Sequence, residues 1–206
     1  MNSKAESLLL DTIFFDWGGV IADDPGDDFL SKLLLSIGAN EAQVQEIFDS
    51  YMISFMKGEI SEAEYWDNLK KHYGFTIHDT ISDEFKQWRG LEINERVLAL
   101  ATAAKSSGFQ TALLTNVIEP TYNVLDAAHC YDHFDIIIAS CKVGLVKPQP
   151  EIYQLALDTM KTSAAQSVFI DDKQKNLDPA IAMGFRTVLA QNPDQIIRDV
   201  EKLLLR

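Results

Sequence analysis

The sequence predicts an α/β protein: a doubly wound parallel sheet of five strands, with a block of helices inserted after the first strand. Three observations predict it. Apolar runs of strand length recur at about residues 12–16, 110–115, 135–139, 167–171 and 186–190. From Asn94 onward these runs alternate with helical stretches, the pattern of βαβ units and of a sheet covered on both faces. Between the first strand and about residue 90 only helical periodicity is found.

Residues 1–11 read as a lead-in. Strand one follows, with Ile13, Phe14 and Phe15 as its apolar run. Gly18 and Gly19 turn the chain towards an acidic stretch (Asp23, Asp24, Asp27, Asp28) that is expected to be a solvated hinge. Phe29, Leu30, Leu33, Leu34 and Ile37 form a helical stripe ended by Gly38. Asn40 can cap a second helix through Val44, Ile47, Phe48, Tyr51, Met52 and Phe55, stopping at Gly58. Ser61 and Glu64 have capping-box spacing and open a third helix, which carries Tyr65, Trp66 and Leu69 to near Gly74. A fourth, around Phe85 and Trp88, completes a small bundle.

Asn94 then caps a helix through Val97, Leu98, Leu100 and Ala101, ended by Gly108. Strand two is followed by a helix near 119–128, and strand three by one from Pro150 to about Met160. A helix after Asn176, stopping at Gly184, follows strand four. Strand five and a last helix at 194–204 close the chain.

With 206 residues the chain fits one or two domains. Its 18 basic and 31 acidic residues give a net charge of −13, which argues against nucleic acid or an anionic membrane as partner. An anionic substrate would need a local positive site or a metal. Cys130 and Cys141 make no disulfide framework and no metal-ligand spacing, and are expected to be small buried apolar residues. The four histidines lack ligand spacing as well, and Trp17, Trp66 and Trp88 are expected to pack. No apolar run reaches transmembrane length and the first residues lack a leader pattern, so a soluble, cytoplasmic protein is expected.

The polar residues cluster at strand ends. Strand one ends at Asp16, strand two at Thr115 and Asn116, and strand four at Asp171 and Asp172, with Asn176 shortly after. Lys147 follows strand three, directly before Pro148 and a helix. In a parallel sheet these ends share one edge, so residues far apart in sequence converge on one crevice. Crowded carboxylates want a cation, and hard oxygen ligands select magnesium. A hydroxyl, a lysine and backbone N–H groups suit a phosphoryl anion. Together they predict metal-assisted attack on phosphorus with a carboxylate as nucleophile.

Asp16 after an apolar strand, Leu113-Leu114-Thr115-Asn116, Lys147-Pro148-Gln149-Pro150-Glu151-Ile152-Tyr153 and Phe169-Ile170-Asp171-Asp172 with Asn176 resemble the four motifs of the haloacid dehalogenase (HAD) superfamily of hydrolases. The likeness covers nearly the whole chain. It implies an α/β catalytic core of residues 1–23 and 91–206, a helical C1 cap of residues 24–90, and strands in the spatial order 5-4-1-2-3. Asp16 resembles the nucleophile that forms an aspartyl-phosphate. Thr115 matches the hydroxyl that binds the phosphoryl group, Asn116 beside it is expected to bind substrate as well, and Lys147 matches the lysine that balances charge on nucleophile and substrate. Asp172 aligns with the metal-ligating acid, and Asp16 with the Gly18 carbonyl would join it on Mg2+. Asp171 and Asn176 would hold the metal's waters or the lysine. The implied activity is a magnesium-dependent phosphatase acting on a small phosphorylated metabolite, with sugar phosphates the first class to try.

One position departs from the pattern. The family's phosphatases usually carry a general acid/base Asp two residues after the nucleophile, where this chain has Gly18. A carbonyl can still bind metal, but the proton-transfer role, typically worth about 10²–10⁴-fold in rate, is lost unless another acid such as Asp23 supplies it. Two other functions compete. A 2-haloacid dehalogenase would use the same nucleophile on carbon without metal, but its relatives place an aromatic residue at Gly18 and lack the paired acids. A catalytically weak member that acts as a binding protein would explain Gly18, though not the retention of Asp16, Thr115, Lys147 and Asp172.

Overall fold

The computed structural model describes residues 9–23, 31–32, 34–36, 38–75 and 92–204. Among them, β1 (Thr12–Phe15), β2 (Gln110–Thr115), β3 (Ile136–Ala139), β4 (Ser167–Asp171) and β5 (Arg186–Leu189) form one sheet in the order β3-β2-β1-β4-β5. Every neighbouring pair is parallel, as alternation with helices requires, and the order is the expected one. The helices are α1 (Glu41–Ile47), α2 (Ile53–Met56), α3 (Glu62–Tyr73), α4 (Glu95–Ser106), α5 (Glu119–Ala127), α6 (Ser140–Val143), α7 (Pro150–Met160), α8 (Gln174–Met183) and α9 (Pro193–Leu204).

Strand alternation sends side chains to opposite faces, and each face is buried under helices. Ile13, Phe15, Leu113, Val168 and Ile170 meet Val97, Leu98 and Ala101 of α4, Leu125 of α5, and Ile196 and Val200 of α9. Phe14, Ala112, Leu114 and Phe169 meet Ile152, Tyr153 and Ala156 of α7, and Leu177 and Ala180 of α8. This two-sided burial explains why β1 and β4 read as continuous apolar runs.

Residues 20–23 and 92–94, the exit to and return from the inserted segment, lie side by side. Ala22 pairs antiparallel with Ile93, Asp23 N–H donates to Glu92 O (3.1 Å) and Asn94 N–H to Ile21 O (2.7 Å). The described part of the insertion has its own apolar cluster, which includes Leu34, Ile47, Phe55, Tyr65 and Leu69, with Ile118 added from the loop after β2. It also meets the core where the Ser140 hydroxyl donates to Met56 O at 2.7 Å. Ser61 forms the expected capping box with Glu64, and Asn40, expected as a cap, also completes a capping box with Gln43.

The second helix differs from its expected form in one respect. Residues Phe48–Met52 make a π-helical turn between α1 and α2. The buried positions are therefore Ile47, Met52 and Phe55, and Tyr51 turns towards His72 and Tyr73. The apolar run at 47, 48, 51, 52 and 55 fits either winding, and packing selected the wider one. Two short elements escaped the sequence pattern, α6 and a 3-10 turn at Ala164–Gln166. Helix α8 starts at Gln174, so Asn176 lies within its first turn rather than ahead of it. The acidic residues Asp24–Asp28, most of the first stripe (Phe29, Leu30, Leu33, Ile37), His78 and the helix around Phe85 and Trp88 lie outside the described residues. Both cysteines are free and half-buried rather than fully buried. Trp17 packs edge-to-face on Tyr131 at 5.7 Å, within the core. Among the described residues no helix is long and apolar enough to cross a membrane.

Gly58 stops α2 at φ 70, and a Cβ there would lie 2.5 Å from the Cys141 carbonyl oxygen. Gly74 has the same φ of 70 and nothing within 4 Å. Both Gly→Ala substitutions meet the left-handed backbone penalty of about 1–2 kcal/mol. Gly58→Ala should cost roughly a further 1 kcal/mol or more, because backbone cannot step aside cheaply. Thermal melts of the two variants read the difference directly, and equal melting temperatures would contradict a tight contact between the insertion and the Cys141 backbone.

Candidate active site

The sheet register places the three strand-end groups side by side. Phe15 pairs with Leu113 and Ile170, so Asp16, one residue on, sits between the ends of β2 and β4. Its N–H continues the ladder to Ile170 O at 2.9 Å. Thr115 ends β2 beside Ala139, and Asp171 ends β4 beside Leu189. All three are buried in the core's edge: Asp16 is 7% exposed, Thr115 2% and Asp171 0%.

A buried carboxylate needs compensation, and here two of them share one ammonium. Lys147 Nζ lies 2.8 Å from Asp16 Oδ2 and 2.7 Å from Asp171 Oδ2, its side chain fully buried over the Phe169 ring. Asp16 Oδ1 accepts the Trp17 N–H at 2.7 Å. Burial pushes the Asp16 carboxyl up to about 7, with Lys147 pulling it down and Asp171 pushing it up again. Burial alone would lower the Lys147 amine, but the two carboxylates outweigh it and hold it above its ordinary value.

Asp171 also accepts from Lys173 N–H at 2.8 Å and from Asn176 Nδ2 at 2.9 Å. Tyr153 OH in turn donates to Asn176 O at 2.7 Å. With three donors on its two oxygens, Asp171 is suited to holding Lys147 rather than an ion. The Asn116 carboxamide is spent in a similar way: Nδ2 donates to Lys147 O at 2.9 Å, and Oδ1 accepts Lys147 N–H at 2.8 Å.

Asp16, Asp171 and Asp172 each offer a carboxylate oxygen within 4.8 Å of the others. The three carboxylates gather beside the Lys147 ammonium, and the donor set is hard oxygen. That chemistry fits magnesium. Two local details agree. Gly19 takes the left-handed backbone (φ 71), and a Cβ there would overlap the Asp172 side chain, so only glycine leaves that carboxylate its place. Gly18 pairs with Ala22 through the Trp17 carbonyl and the Gly19 N–H, which leaves the Gly18 carbonyl unspent by the bridge.

The structure thus brings Asp16, Lys147, Asp171, Asp172 and Asn176 together, with Thr115 at the adjoining strand end. It turns Asn116 onto the Lys147 backbone. Sequence reasoning missed Gly19, Tyr153 and the Trp17 N–H. The paired glycines were a signal for the first and the Trp17 N–H bonds its neighbour in sequence, whereas Tyr153 acts through a contact 23 residues away that no local pattern encodes.

Residues 10–184 match the haloacid dehalogenase-like hydrolase family. Mouse bifunctional epoxide hydrolase 2 is 38% identical over 169 residues, 72% of this chain but 29% of that protein. The chain therefore spans under a third of that relative's length. Sesquiterpene phosphatase astK of Aspergillus oryzae is 33% identical over 132 residues, 63% of this chain and 67% of that one. A HAD-like hydrolase from Porphyromonas gingivalis shares the fold with TM-score 0.77 at 23% identity, over 96% of this chain and 99% of the other. A HAD family enzyme from Bacteroides thetaiotaomicron, solved with magnesium and inorganic phosphate, does so with TM-score 0.70 at 23% identity, over 89% and 96%.

Proposed function

The chain belongs to the haloacid dehalogenase-like hydrolases, and from that premise we propose that it is a magnesium-dependent phosphatase of a small phosphorylated metabolite. The observation that carries this reading is the gathering of three hard-oxygen carboxylates, Asp16, Asp171 and Asp172, at one sheet edge. Lys147 is already neutralised by Asp16 and Asp171, so a phosphate dianion would meet negative charge unless a cation came with it. A metal-free displacement on carbon gives Asp172 no such task, which disfavours the dehalogenase alternative. The phosphatase name of the Aspergillus relative points the same way.

In this reading an Asp16 oxygen attacks phosphorus, the P–O bond to the leaving alkoxide breaks, and water then cleaves the aspartyl-phosphate. Lys147 and the Trp17 N–H favour the ionised form of Asp16 and offset part of the effect of its burial, and the Thr115 hydroxyl donates to a phosphoryl oxygen. Asp171, braced by Asn176, keeps Lys147 in place. Asp16, Asp172 and the Gly18 carbonyl would hold magnesium, which neutralises phosphoryl charge when bound. The buried Asn176 Oδ1 accepts nothing among the described residues and is left over for a water. Residues 24–90 would form the cap, and their described part meets the core at Ile118 and Ser140. The two free thiols fit a reducing, cytoplasmic compartment.

Phosphate release from an aryl phosphate and from a panel of sugar phosphates, with magnesium and with chelator, tests the proposal. Turnover should require magnesium and fall at least about 100-fold in Asp172→Ala. Equal rates in chelator, or an unaffected variant, would remove the metal from the reaction. Release of halide from a 2-haloacid with no release of phosphate would favour the dehalogenase.

A further inference from the structure

We propose that Asn116 is a positioning residue for Lys147 rather than a contact of the substrate. The inference rests on the role given above to Lys147 as the group that bridges Asp16 and Asp171.

The observation is a two-point clamp. One carboxamide accepts the Lys147 N–H (2.8 Å) and donates to the Lys147 carbonyl (2.9 Å), so it meets both polar groups of that residue. These are the two bonds that a neighbouring strand would supply, and the residues around Lys147 lie in neither helix nor strand, between α6 and α7. The remaining restraints on that loop are local: Gln149 N–H bonds Val146 O, and Gln149 Oε1 accepts the Val146 N–H. Among the described residues, Asn116 is the hydrogen-bond link between the Lys147 backbone and the end of β2. It follows Thr115 directly on β2, so the same strand end sets the hydroxyl and the base of the lysine.

Lysine needs this help more than most side chains. Its four-carbon stem is flexible, and a shift of its Cα carries the ammonium with it. Here Nζ must stay within 2.7 and 2.8 Å of two separate carboxylates. A peptide group held at both N–H and C=O fixes the stem's origin, leaving only its rotamers to be set by the Phe169 ring and the two acids. Misplacement by about 1 Å at a reacting centre can cost on the order of 100-fold in rate. The carboxamide oxygen and one Nδ2 hydrogen are engaged with Lys147, so a phosphoryl oxygen could meet only the second Nδ2 hydrogen without breaking the clamp.

The test is a double-mutant cycle, read both in kcat/KM for phosphate release and in the affinity for inorganic phosphate with magnesium. Asn116→Ala should lower kcat about 10- to 100-fold with KM within about threefold of wild type. In a Lys147→Ala background the same substitution should change kcat and phosphate affinity by less than about twofold, because nothing remains to be positioned. A full additional loss in that background, in rate or in phosphate affinity, would overturn the proposal and return Asn116 to the substrate. Should Asn116→Ala fail to fold, Asn116→Asp serves. It is isosteric, keeps the acceptor for Lys147 N–H and sets an oxygen against Lys147 O, so the same cycle applies. If instead Lys147→Ala alone leaves activity and affinity unchanged, it is the assignment of Lys147 that fails. That outcome is distinct from the additive one.

Discussion

Asp16→Asn is expected to abolish turnover, by at least about 10⁴-fold in kcat, the scale on which loss of a nucleophile acts. The argument is one of bonding. An amide oxygen is a poor nucleophile and cannot carry the phosphoryl group through to hydrolysis, whatever else the site retains. The fold should survive the change. Asparagine keeps the shape of the side chain, and burial already disfavours the Asp16 charge, pushing its carboxyl up to about 7. A neutral group is therefore tolerated there, even though one of its two donors, the Trp17 N–H or Lys147 Nζ, must give up a bond. A melting temperature within a few degrees of wild type, together with loss of phosphate release, is the expected pair of results. Activity within tenfold of wild type would mean that another group attacks phosphorus.

Lys147→Met should show the largest loss of stability. It keeps an apolar stem over the Phe169 ring but removes the ammonium from between Asp16 and Asp171. Two buried carboxylates would then face each other without compensation. Breaking a buried ion pair by removing one partner typically costs about 3–5 kcal/mol, which for a chain of this size corresponds to a fall in Tm of roughly 6–20 °C. Lower pH should recover part of the loss, because a proton on either acid relieves the repulsion. The sign follows from linkage: the Asp16 carboxyl is held above its ordinary value by burial and by the Asp171 charge, so the penalty of ionising it grows as pH rises and fades as it falls. Added magnesium should also recover part of it, by restoring positive charge to the cluster. Melts at two pH values, with magnesium and with chelator, check these points. A variant as stable as wild type in chelator at neutral pH would mean that the triad is not the compensated group described here.

What the sequence determined by itself is what short-range physics encodes. Apolar runs of strand length made the five strands legible, and the spacing of apolar residues did the same for most helices. The caps at Asn40 and Ser61 and the stop at Gly74 could be placed because they join residues within one turn. The common edge for Asp16, Thr115 and Asp171 followed too, since all ends of one kind in a parallel sheet lie on the same side. Tertiary structure alone decided how those groups are spent. Asn116 is bonded to a backbone 31 residues away, Asp171 is given to Lys147 and Asn176, and Gly19 is required by the Asp172 side chain. The π-helical turn at Phe48–Met52 belongs with these, because the packing of the bundle chose between two windings that the same residues permit. A side chain's local pattern states what it can bond. Which partner it meets depends on distances between distant segments, and those exist only once the sheet has set its register.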